Sequence, residues 1–450
     1  MEGTPRPWTV STKQQRIAEL AEQMPGVGLT SLSHHIDMEW MREAYRRTRK
    51  DGAPGIDGQT AKEYEAKLEE NLQSLLNRAK EGDTYRAPAV RRVYIPKGDG
   101  SEKRPIGIPT LEDKVLQRAT LMALEPVYEQ DFLECSYGCR PDRSAHQALR
   151  KLYTQLSCWG GGWILEVDIR KYFDTVDHKE LREIVRKRIR DGVLLRLIGK
   201  WLKAGVLEEG RHWYPEAGTP QGGVVSPLLA NVYLHEVLDT WFEEEVRPRL
   251  RGRAFLVRFV DDVVIAFTEQ GDARRVMEVI PKRFEKYGLT VHPEKTRLMP
   301  FRRPGQERSH EGRGPGSSPG SFDFLGFTHY WARSRKGRWM IKQKTAKDRV
   351  SRAVKKVKIW LRAVRHWKVR EQHAGLVRKV RGHNQYYGIS GNWRALQDFL
   401  YQVNRTWRKW LSRRSQKGYM NWDKMNQLLK RYPLPRPVIY HSMYSHVANR

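Results

Sequence analysis

The sequence predicts an α+β fold with a helical C-terminal region. Residues 90–108 and 255–267 each contain two β-rich runs separated by a short polar turn, which is the signature of a β-hairpin. Elsewhere apolar residues recur at steps of three and four, as they do on the buried face of a helix. Because 450 residues exceed what one small core accommodates, two or three packed domains are expected.

The N-terminal part is expected to be mainly helical. A helix is predicted over residues 37–49 with Asp37 as its N-cap, and an amphipathic helix over residues 61–80. A turn-rich loop at residues 50–58 separates them. After the first hairpin, another helix is predicted over residues 111–128.

The middle of the chain predicts a buried strand, a rigid loop and further helices. Residues 163–169 (WILEVDI) form a short apolar run that ends in an acid, and residues 218–223 (GTPQGG) form the loop. Helices are predicted over 178–204, 227–245 and 272–287.

The last part of the chain is predicted to be helical after a flexible segment. Gly, Pro and Ser dominate residues 303–321, which indicates a flexible loop, and structure resumes at residues 322–327 (FDFLGF). From Lys344 onward the apolar residues follow a helical period, as they do again over 396–410. Such stripes normally form core.

The charge of the chain indicates a polyanionic partner. The formal net charge is +31, and residues 351–450 alone hold 23 Lys and Arg against three Asp and Glu. Six tryptophans lie among these cations, a combination that suits RNA, whose phosphates are neutralised while unpaired bases stack. A basic protein with an ordinary aromatic core is the alternative interpretation.

Several classes of protein are excluded by the composition. Three cysteines, Cys135, Cys139 and Cys158, provide neither a disulfide framework nor a zinc-binding pattern. No apolar run approaches the twenty or so residues that cross a bilayer, and the N-terminus lacks the apolar core of a signal peptide. The sequence therefore predicts a cytoplasmic protein without a membrane partner.

Three acids form the strongest chemical signal. Asp168 ends one β-like run, and Asp261 and Asp262 lie at the turn of a hairpin with apolar flanks. If the two segments are neighbours in a sheet, the carboxylates converge, and clustered carboxylates suit Mg²⁺, which also accepts substrate phosphate. Two such ions clamp the attacking and leaving oxygens in polymerases. The alternative is an acidic hairpin turn without a ligand.

An ordered series of motifs resembles the reverse transcriptases encoded by bacterial group II introns, and the resemblance covers nearly the whole chain. The matching segments are GIDG (55–58), YIPKGDGSEKRPIGIPT (94–110), SYGCRPDRSAHQAL (136–149), DIRKYFDTVDH (168–178), GTPQGGVVSPLLANVYL (218–234), RFVDDVVIAF (258–267), GLTVHPEKT (288–296) and FDFLGF (322–327).

The resemblance implies a right-hand polymerase. It assigns an N-terminal extension and the first motif to residues 1–60, and fingers and palm with an antiparallel sheet to residues 61–330. A helical thumb and a maturase-type RNA-binding domain then occupy residues 331–450.

The sequence departs from the family pattern at three places. Phe259-Val260 stands where the family usually has Tyr-Ala before the two aspartates, Cys139 where Phe is usual, and His292 where Asn is common. Because the carboxylates remain, the chemistry is expected to survive. The effect of Phe259-Val260 on the rate and fidelity of DNA synthesis is left open.

The resemblance also implies individual roles around the acids. Asp168 and Asp261 would ligate two Mg²⁺ ions, or Mn²⁺ as a substitute, with Asp262 and the Ile169 carbonyl assisting. Lys295 would be the general acid that protonates pyrophosphate; its alternative is a surface lysine beside Glu294.

Four further residues are implied to bind the incoming dNTP. Lys97 and Arg104 would hold the triphosphate, and Gln221 would meet the nucleotide. Phe173 would exclude a ribose 2′-hydroxyl and so select dNTPs. The alternatives are a solvated basic hairpin for the two cations and a plain core residue for Phe173.

The C-terminal region resembles the thumb and maturase region of the same family in residues 380–390 (VRGHNQYYGIS) and 407–425 (WRKWLSRRSQKGYMNWDKM). The implied role is binding of intron RNA, with six candidate residues: Arg405, Arg408, Lys409, Arg413, Arg414 and Lys417. No cysteine follows Cys158, so the Cys-rich endonuclease module of many family members is not expected, and primers would come from a nick, a replication fork or single-stranded DNA.

The predicted function is therefore RNA-directed DNA polymerisation together with assistance to intron splicing and mobility. The implied partners are an RNA template, a DNA or RNA primer, dNTPs and target DNA. A splicing cofactor that has lost polymerase activity, and a domesticated enzyme of DNA repair or phage defence, are the alternatives. Phe173 disfavours a viral-type RNA polymerase. The oligomeric state is left open.

Overall fold

The computed structural model describes residues 9–82, 84–97, 102–208, 211–213, 218, 222–305, 320–415 and 418–444. The chain divides into two compact units. Unit 1 comprises residues 1–145 and 165–298, and unit 2 comprises residues 146–164 and 299–450. This division follows contacts within the chain, and the domain ranges inferred above stay a prediction.

Unit 1 is rich in helices, most of which begin at a capping residue. They are α1 (Val10–Gln23), α2 (Met38–Arg47), α3 (Ala61–Glu65), α4 (Leu68–Lys80), α5 (Leu111–Asp131), α7 (Tyr172–Thr175), α8 (His178–Arg188), α9 (Gly192–Leu202), α10 (Ser226–Leu234) and α11 (Gln270–Lys286), with α6 (Ala145–Trp159) beginning at the division. The predicted N-cap is confirmed, because the Asp37 carboxylate accepts a hydrogen bond of 3.0 Å from Trp40 N.

Two predicted helices are each divided into two. The 61–80 segment forms α3 and α4, and the 178–204 segment forms α8 and α9. Asp191 explains the second break, because its carboxylate caps α9 at Val193 N and Leu194 N while it also accepts from the backbone N–H groups of Leu32 and Ser33. A continuous helix would leave these distant donors without an acceptor.

The helix predicted over 227–245 is present but changes type. Regular α10 is followed by a π-helical segment, His235–Val246. Such segments are rare and frequently occur at functional sites. This one carries the buried carboxylate of Asp239.

Unit 1 contains the two predicted hairpins, which are confirmed. The first is formed by β1 (Val90–Lys97) and β2 (Glu102–Ile108), which pair antiparallel with Ile95 opposite Arg104. The short strands β4 (Val206–Glu208) and β5 (Arg211–Trp213) extend it to a four-stranded sheet of order β2-β1-β4-β5, in which β1 and β4 are parallel.

The second hairpin, β6 (Ala254–Phe259) and β7 (Asp262–Phe267), belongs to another four-stranded sheet. Its order is β6-β7-β3-β8, where β3 is Gly161–Asp168 and β8 is Arg297–Arg302. Residues of β6 and β7 are almost all buried, which explains their apolar sequence. The predicted strand at 163–169 corresponds to β3.

Unit 2 combines a small sheet with helices. The antiparallel strands are β9 (Ser321–Phe324), β10 (Phe327–Arg333) and β11 (Trp339–Thr345), and the helices are α12 (Lys347–Ala363), α13 (Val369–Tyr387), α14 (Trp393–Leu411) and α15 (Trp422–Arg431). The helical pattern therefore begins at Lys347 rather than Lys344, because Lys344 and Thr345 still pair with β10. Of the loop predicted at 303–321, residues 306–319 lie outside the described ranges.

The α12–α15 helices enclose an apolar core with few polar groups. Trp407 is fully buried at its centre, and its indole N–H donates to the Gln372 side chain at 2.9 Å. The α+β class is thus confirmed. No helix within the described part of the chain is long and apolar enough to cross a membrane.

Candidate active site

Asp168 is the last residue of β3 and is held by the segment around Val291. The Asp168 carbonyl accepts from His292 N, and Arg170 N donates to the Thr290 carbonyl, both at 2.8 Å. Because backbone groups alternate in direction along an extended chain, the carbonyl of Ile169 lies on the opposite side of this pairing. On that side of β3 the sheet continues with β7.

Asp261 and Asp262 lie at the turn between β6 and β7. Phe259 pairs with Asp262, so Val260 and Asp261 form a two-residue turn. Val260 has a φ of +58°, a left-handed conformation that β-branched residues rarely adopt and that stores strain. Since β7 is the neighbour of β3, the turn belongs to the strand next to Asp168.

The Asp261 carboxylate influences a residue of the segment that follows Asp168. Burial raises the pKa of the Tyr172 phenol well above its usual value, and the Asp261 carboxylate adds to this rise. The residue before Cys139 packs against the same turn, since a Cβ added to Gly138 would lie 2.5 Å from Val260 N. The aspartates of the two motifs therefore share one region of unit 1.

The described side chains do not by themselves form a complete metal site. No group of three or more His, Cys, Asp or Glu side chains among the described residues is arranged to hold a metal ion. Mg²⁺ commonly takes only one or two protein carboxylates and completes its octahedron with water and substrate phosphates. The Asp168 side chain, 41% exposed, is accessible to such a complex.

Lys295 lies beside Asp168, while its predicted role as a general acid stays a prediction. Its Nζ is 3.9 Å from the Asp168 carboxylate, and both side chains are about half exposed. The adjacent Thr296 hydroxyl accepts from Asp168 N at 3.2 Å. These contacts position an ammonium group at the accessible carboxylate.

Phe173 lies on the short helix α7 and is only partly buried, which disfavours the plain core interpretation. Its ring meets Tyr172 edge-on at 5.3 Å, and the Tyr172 hydroxyl is anchored on the Ala230 carbonyl at 2.7 Å. Gly218, with a φ of +95°, packs so closely that an added Cβ would lie 2.8 Å from the Phe173 carbonyl oxygen. The backbone of Phe173 is therefore fixed from two sides.

The structure describes only part of the predicted dNTP site. Arg104 is exposed on β2, while the side chain of Lys97 and all of Gln221 lie outside the described residues. Gly222 packs against the first hairpin, because a Cβ added to it would lie 2.3 Å from the Gly107 carbonyl oxygen. The roles of these residues stay predictions.

Comparison with known families decides the assignment. Residues 95–329, more than half of the chain, match the model of the reverse transcriptase (RNA-dependent DNA polymerase) family. The chain belongs to the reverse transcriptase family. The match spans Arg104, the three aspartates and Lys295.

Individual relatives confirm the resemblance to the group II intron class. Protein YkfC of Escherichia coli (strain K12) is 43% identical over 252 residues, which are 54% of this chain and 65% of YkfC. The group II intron-encoded protein LtrA of Lactococcus lactis subsp. cremoris is 43% identical over 169 residues, 38% of this chain and 28% of LtrA. Nuclear intron maturase 4 of Arabidopsis thaliana is 29% identical over 151 residues, 33% of this chain and 19% of that protein. The matched segments thus cover less than two thirds of each relative.

Sequence reasoning missed a buried ionic network beneath the β6–β7 turn of this member of the reverse transcriptase family. Arg258 on β6 and Asp239 are both fully buried and form two contacts, of 2.7 and 2.5 Å. The same guanidinium donates to three other acceptors, which are Asn231 Oδ1, Ser136 Oγ and the carbonyl of Val260. A single cation within the apolar run AFLVRF was the signal in the sequence.

A second missed network lies next to residues 218–223 (GTPQGG), which we call the glycine loop. Asp113 is fully buried and accepts from Tyr85, Trp201 and Gln117, and burial raises the pKa of its carboxyl to about 6. Gln117 in turn accepts from Val224 N at 2.6 Å. The network therefore reaches the segment that directly follows the loop.

The predicted RNA-binding cations divide into two groups in unit 2. Arg405, Lys409 and Arg413 are exposed. Arg408 stacks on Trp422 at 4.7 Å, and Arg414 donates to the Trp367 carbonyl at 2.6 Å, with burial lowering the pKa of the Arg414 guanidinium. Lys417 lies outside the described ranges. The exposed group has guanidinium and ammonium heads available for phosphate.

Proposed function

We propose that the chain is an RNA-directed DNA polymerase of the group II intron type, which adds dNTPs to the 3′ end of a primer. The observation that carries this proposal is the neighbourhood of β3 and β7: one ends at Asp168 and the other begins at Asp262, with Lys295 at the Asp168 carboxylate. In this proposal the β2-β1-β4-β5 sheet belongs to the fingers, the β6-β7-β3-β8 sheet to the palm, and α12–α15 to the thumb and maturase region.

The carboxylates would bind the divalent ions, and these ions would in turn bind the triphosphate. Asp168 and Asp261 would hold two Mg²⁺ ions, with Asp262 and the Ile169 carbonyl as additional oxygen ligands. When bound, these ions supply charge stabilisation for the attacking 3′-hydroxyl and the leaving pyrophosphate. The backbone pairing supports this role for Ile169, because its carbonyl points away from residues 290–292.

The remaining residues would orient the nucleotide and move the proton. Arg104 and Lys97 would neutralise the triphosphate, and Gln221 would contact the nucleotide from the glycine loop. The Phe173 ring would occupy the space that a ribose 2′-hydroxyl needs. Lys295 would donate a proton to the pyrophosphate as it leaves, and its position 3.9 Å from the Asp168 carboxylate supports this role.

We further propose that the basic C-terminal helices bind intron RNA and assist its splicing. The excess of cations in residues 351–450 and the exposed group Arg405, Lys409 and Arg413 support this role. The names of LtrA and of the Arabidopsis maturase point to the same class of RNA. Primer, template and target DNA would be the further partners.

Primer extension tests the polymerase proposal. On an RNA template with Mg²⁺, the wild-type protein is expected to extend a primer with dNTPs and not with rNTPs. Asp261→Asn is expected to reduce extension by about 10³-fold or more, because several kcal/mol of transition-state stabilisation depend on the metal ions. Glu278→Gln, the same change at an exposed site on α11, serves as the matched control.

Two results would contradict the proposal. Undiminished extension by Asp261→Asn would remove the carboxylate from the mechanism. A well-folded wild-type protein that binds RNA but extends no primer would favour a splicing cofactor without polymerase activity.

A further inference from the structure

A basic pocket in unit 1, formed by α8, α9 and the segments that lead into β1 and β4, is not used by the mechanism above. We call it the α8–α9 pocket. Its volume is about 750 Å³, and its charged lining consists of five cations: Arg86, Arg182, Arg196, Lys200 and Lys203. No carboxylate lines it, and the rest of its wall is mainly small and apolar. A concentration of positive charge in a concave site attracts anions.

Four of the five cations have no ionic partner. Arg86, Arg182, Arg196 and Lys203 form no salt bridge with any residue in the described ranges. Elsewhere in unit 1 exposed arginines commonly pair with acids, as Arg42 does with Glu69 and Arg186 with Glu183. These four cations are thus available for an external anion, whereas the Lys200 ammonium donates to the carbonyls of Gly82 and Tyr85.

The pocket face of α9 follows a helical period. Arg196, Gly199, Lys200 and Lys203 are spaced as i, i+3, i+4 and i+7, which puts them on one side of the helix. From Arg196 to Lys203 the helix rises about 10 Å. This distance accommodates more than one phosphate of a single nucleic-acid strand.

Gly199 provides a second observation that points to a ligand. It lies inside α9, where glycine is the least favoured residue after proline. A Cβ added there would meet no atom of the protein within 4 Å, so no intramolecular contact requires a glycine. Its absent side chain instead leaves the helix backbone open to close approach from the pocket.

We propose that the α8–α9 pocket binds the sugar-phosphate backbone of an unpaired RNA segment. The cations neutralise successive phosphates, and the bare backbone at Gly199 lets the strand lie close to α9. A concave pocket suits one strand, whereas a duplex is a wide rigid rod. The proposal rests on RNA being a partner of the chain, as in the proposed function, but not on polymerase chemistry.

The pocket is separate from the residues assigned to the triphosphate. It lies where β1 begins, since Val90 pairs with Val206 directly after the lining residues Ala204 and Gly205. Arg104 pairs with Ile95, five residues further along β1, which corresponds to about 17 Å of strand. RNA in the pocket would therefore contact the protein beyond the reach of the nucleotide site.

Binding of an unstructured, fluorescently labelled 20-nucleotide RNA, followed by anisotropy from 50 to 300 mM KCl, tests the proposal. Arg196→Glu/Lys203→Glu is expected to weaken binding at least tenfold and to lower the slope of log K against log salt by about 1.4 or more, the value for two lost phosphate contacts on a single strand. Arg274→Glu/Lys282→Glu makes the same charge change at exposed sites on α11 and is expected to bind as the wild type does.

Gly199→Ala tests for direct contact between the RNA and α9 without changing the charge of the pocket. Alanine favours the helix and meets no protein atom, so the melting temperature is expected to rise or stay unchanged. Binding of the RNA is nevertheless expected to weaken about three- to tenfold, because the methyl group occupies the space of the strand. A photo-crosslinking amino acid at position 203 is expected to capture RNA, whereas one at position 282 is not. This measurement tests the proposal even if the charge variant fails to fold.

The outcomes distinguish the sources of failure. Equal RNA binding by wild type, Gly199→Ala and both charge variants would overturn the pocket proposal while leaving the polymerase proposal intact. Capture of inorganic tripolyphosphate by the pocket without any effect on RNA binding would overturn it in favour of a small-anion site, and preference for duplex RNA would overturn the single-strand assignment. A wild-type protein without affinity for RNA would refute the proposed function as well.

Discussion

The side chains around Asp168 show how much of the proposed chemistry depends on single residues. Lys295 Nζ lies 3.9 Å from the Asp168 carboxylate, and the hydroxyl of the neighbouring Thr296 accepts from Asp168 N. Val260 adopts a strained backbone conformation at the β6–β7 turn. Phe173 is fixed by its neighbours on both sides while its ring stays partly exposed. A ring so placed is suited to contact a ligand rather than to fill a core.

Replacement of Phe173 by alanine is expected to relax selection of the sugar. Because Gly218 and Tyr172 fix the backbone, loss of the ring should open the space of a 2′-hydroxyl without moving the aspartates. Incorporation of rNTPs relative to dNTPs is expected to rise roughly 10- to 200-fold, the usual range for steric discrimination in a pocket. Single-nucleotide extension with each substrate measures the ratio.

Phe173→Tyr keeps the ring and is the matched control, with near wild-type selectivity expected. An unchanged ratio in Phe173→Ala, with dNTP extension retained, would show that another group excludes the ribose.

The β6–β7 hairpin depends on a buried ion pair rather than on local turn chemistry. A two-residue turn that contains Val260 at positive φ is not a favoured hairpin turn, since asparagine and glycine dominate such positions. Arg258 compensates by donating to the Val260 carbonyl at 3.1 Å while Asp239 holds the guanidinium from the π-helical segment. The hairpin and the helix therefore form one positioning element.

Asp239→Asn is expected to destabilise unit 1 strongly. The change leaves the Arg258 charge buried without its partner, which costs about 3–5 kcal/mol in comparable pairs. Urea unfolding measures this loss. Glu69→Gln, which breaks the exposed Arg42–Glu69 pair, is the matched control and is expected to have little effect.

A double variant separates stability from positioning. Arg258→Met/Asp239→Leu is expected to recover part of the lost stability, since apolar groups replace the buried charges. The recovery is incomplete because Asn231 Oδ1 and Ser136 Oγ lose their donor. Its primer extension should remain impaired, because the Val260 carbonyl has lost its donor. Full recovery of both properties would restrict Arg258 to a structural role.

At the scale of the whole molecule, the excess positive charge is concentrated in residues 351–450, which lie entirely within unit 2. The α8–α9 pocket, by contrast, lies in unit 1. The tryptophans of residues 351–450 are not uniformly exposed, since Trp407 and Trp410 belong to the helical core while Trp367 and Trp393 reach solvent. Only part of the basic and aromatic pattern is therefore available to RNA.

Removal of the exposed cations of unit 2 is expected to weaken RNA binding in a salt-dependent way. Arg405→Gln/Lys409→Gln/Arg413→Gln removes three phosphate contacts, so the slope of log K against log salt should fall by about 2 on a single-stranded RNA. Neutralisation of Arg335, Lys336 and Arg338 at the β10–β11 turn is the matched control. Equal slopes for both variants would place the RNA contacts elsewhere.

The sequence by itself determined the α+β class, both hairpins and the Asp37 cap, whereas the neighbourhood of β3 and β7 was only a condition of the predicted site. These features depend on local information: alternation of apolar residues, turn residues, capping side chains and an ordered series of motifs. The residues that differ from the family pattern are also visible in the sequence. Val260 is one of them, but the sequence does not show which contact compensates for its strained backbone.

Only the tertiary structure decided which distant groups meet. Asp191 ends a helical pattern because Leu32 and Ser33, more than 150 residues away in sequence, supply N–H donors to its carboxylate. Arg258 and Asp113 became buried network residues, and the α8–α9 pocket joins residues 85–89 to residues 182–205. A residue's periodicity records which face it occupies, whereas its partner across the fold depends on how elements far apart in the chain pack together. That packing, and not any local pattern, brings Arg258 to Asp239 and to the Val260 carbonyl, where it stabilises the β6–β7 turn.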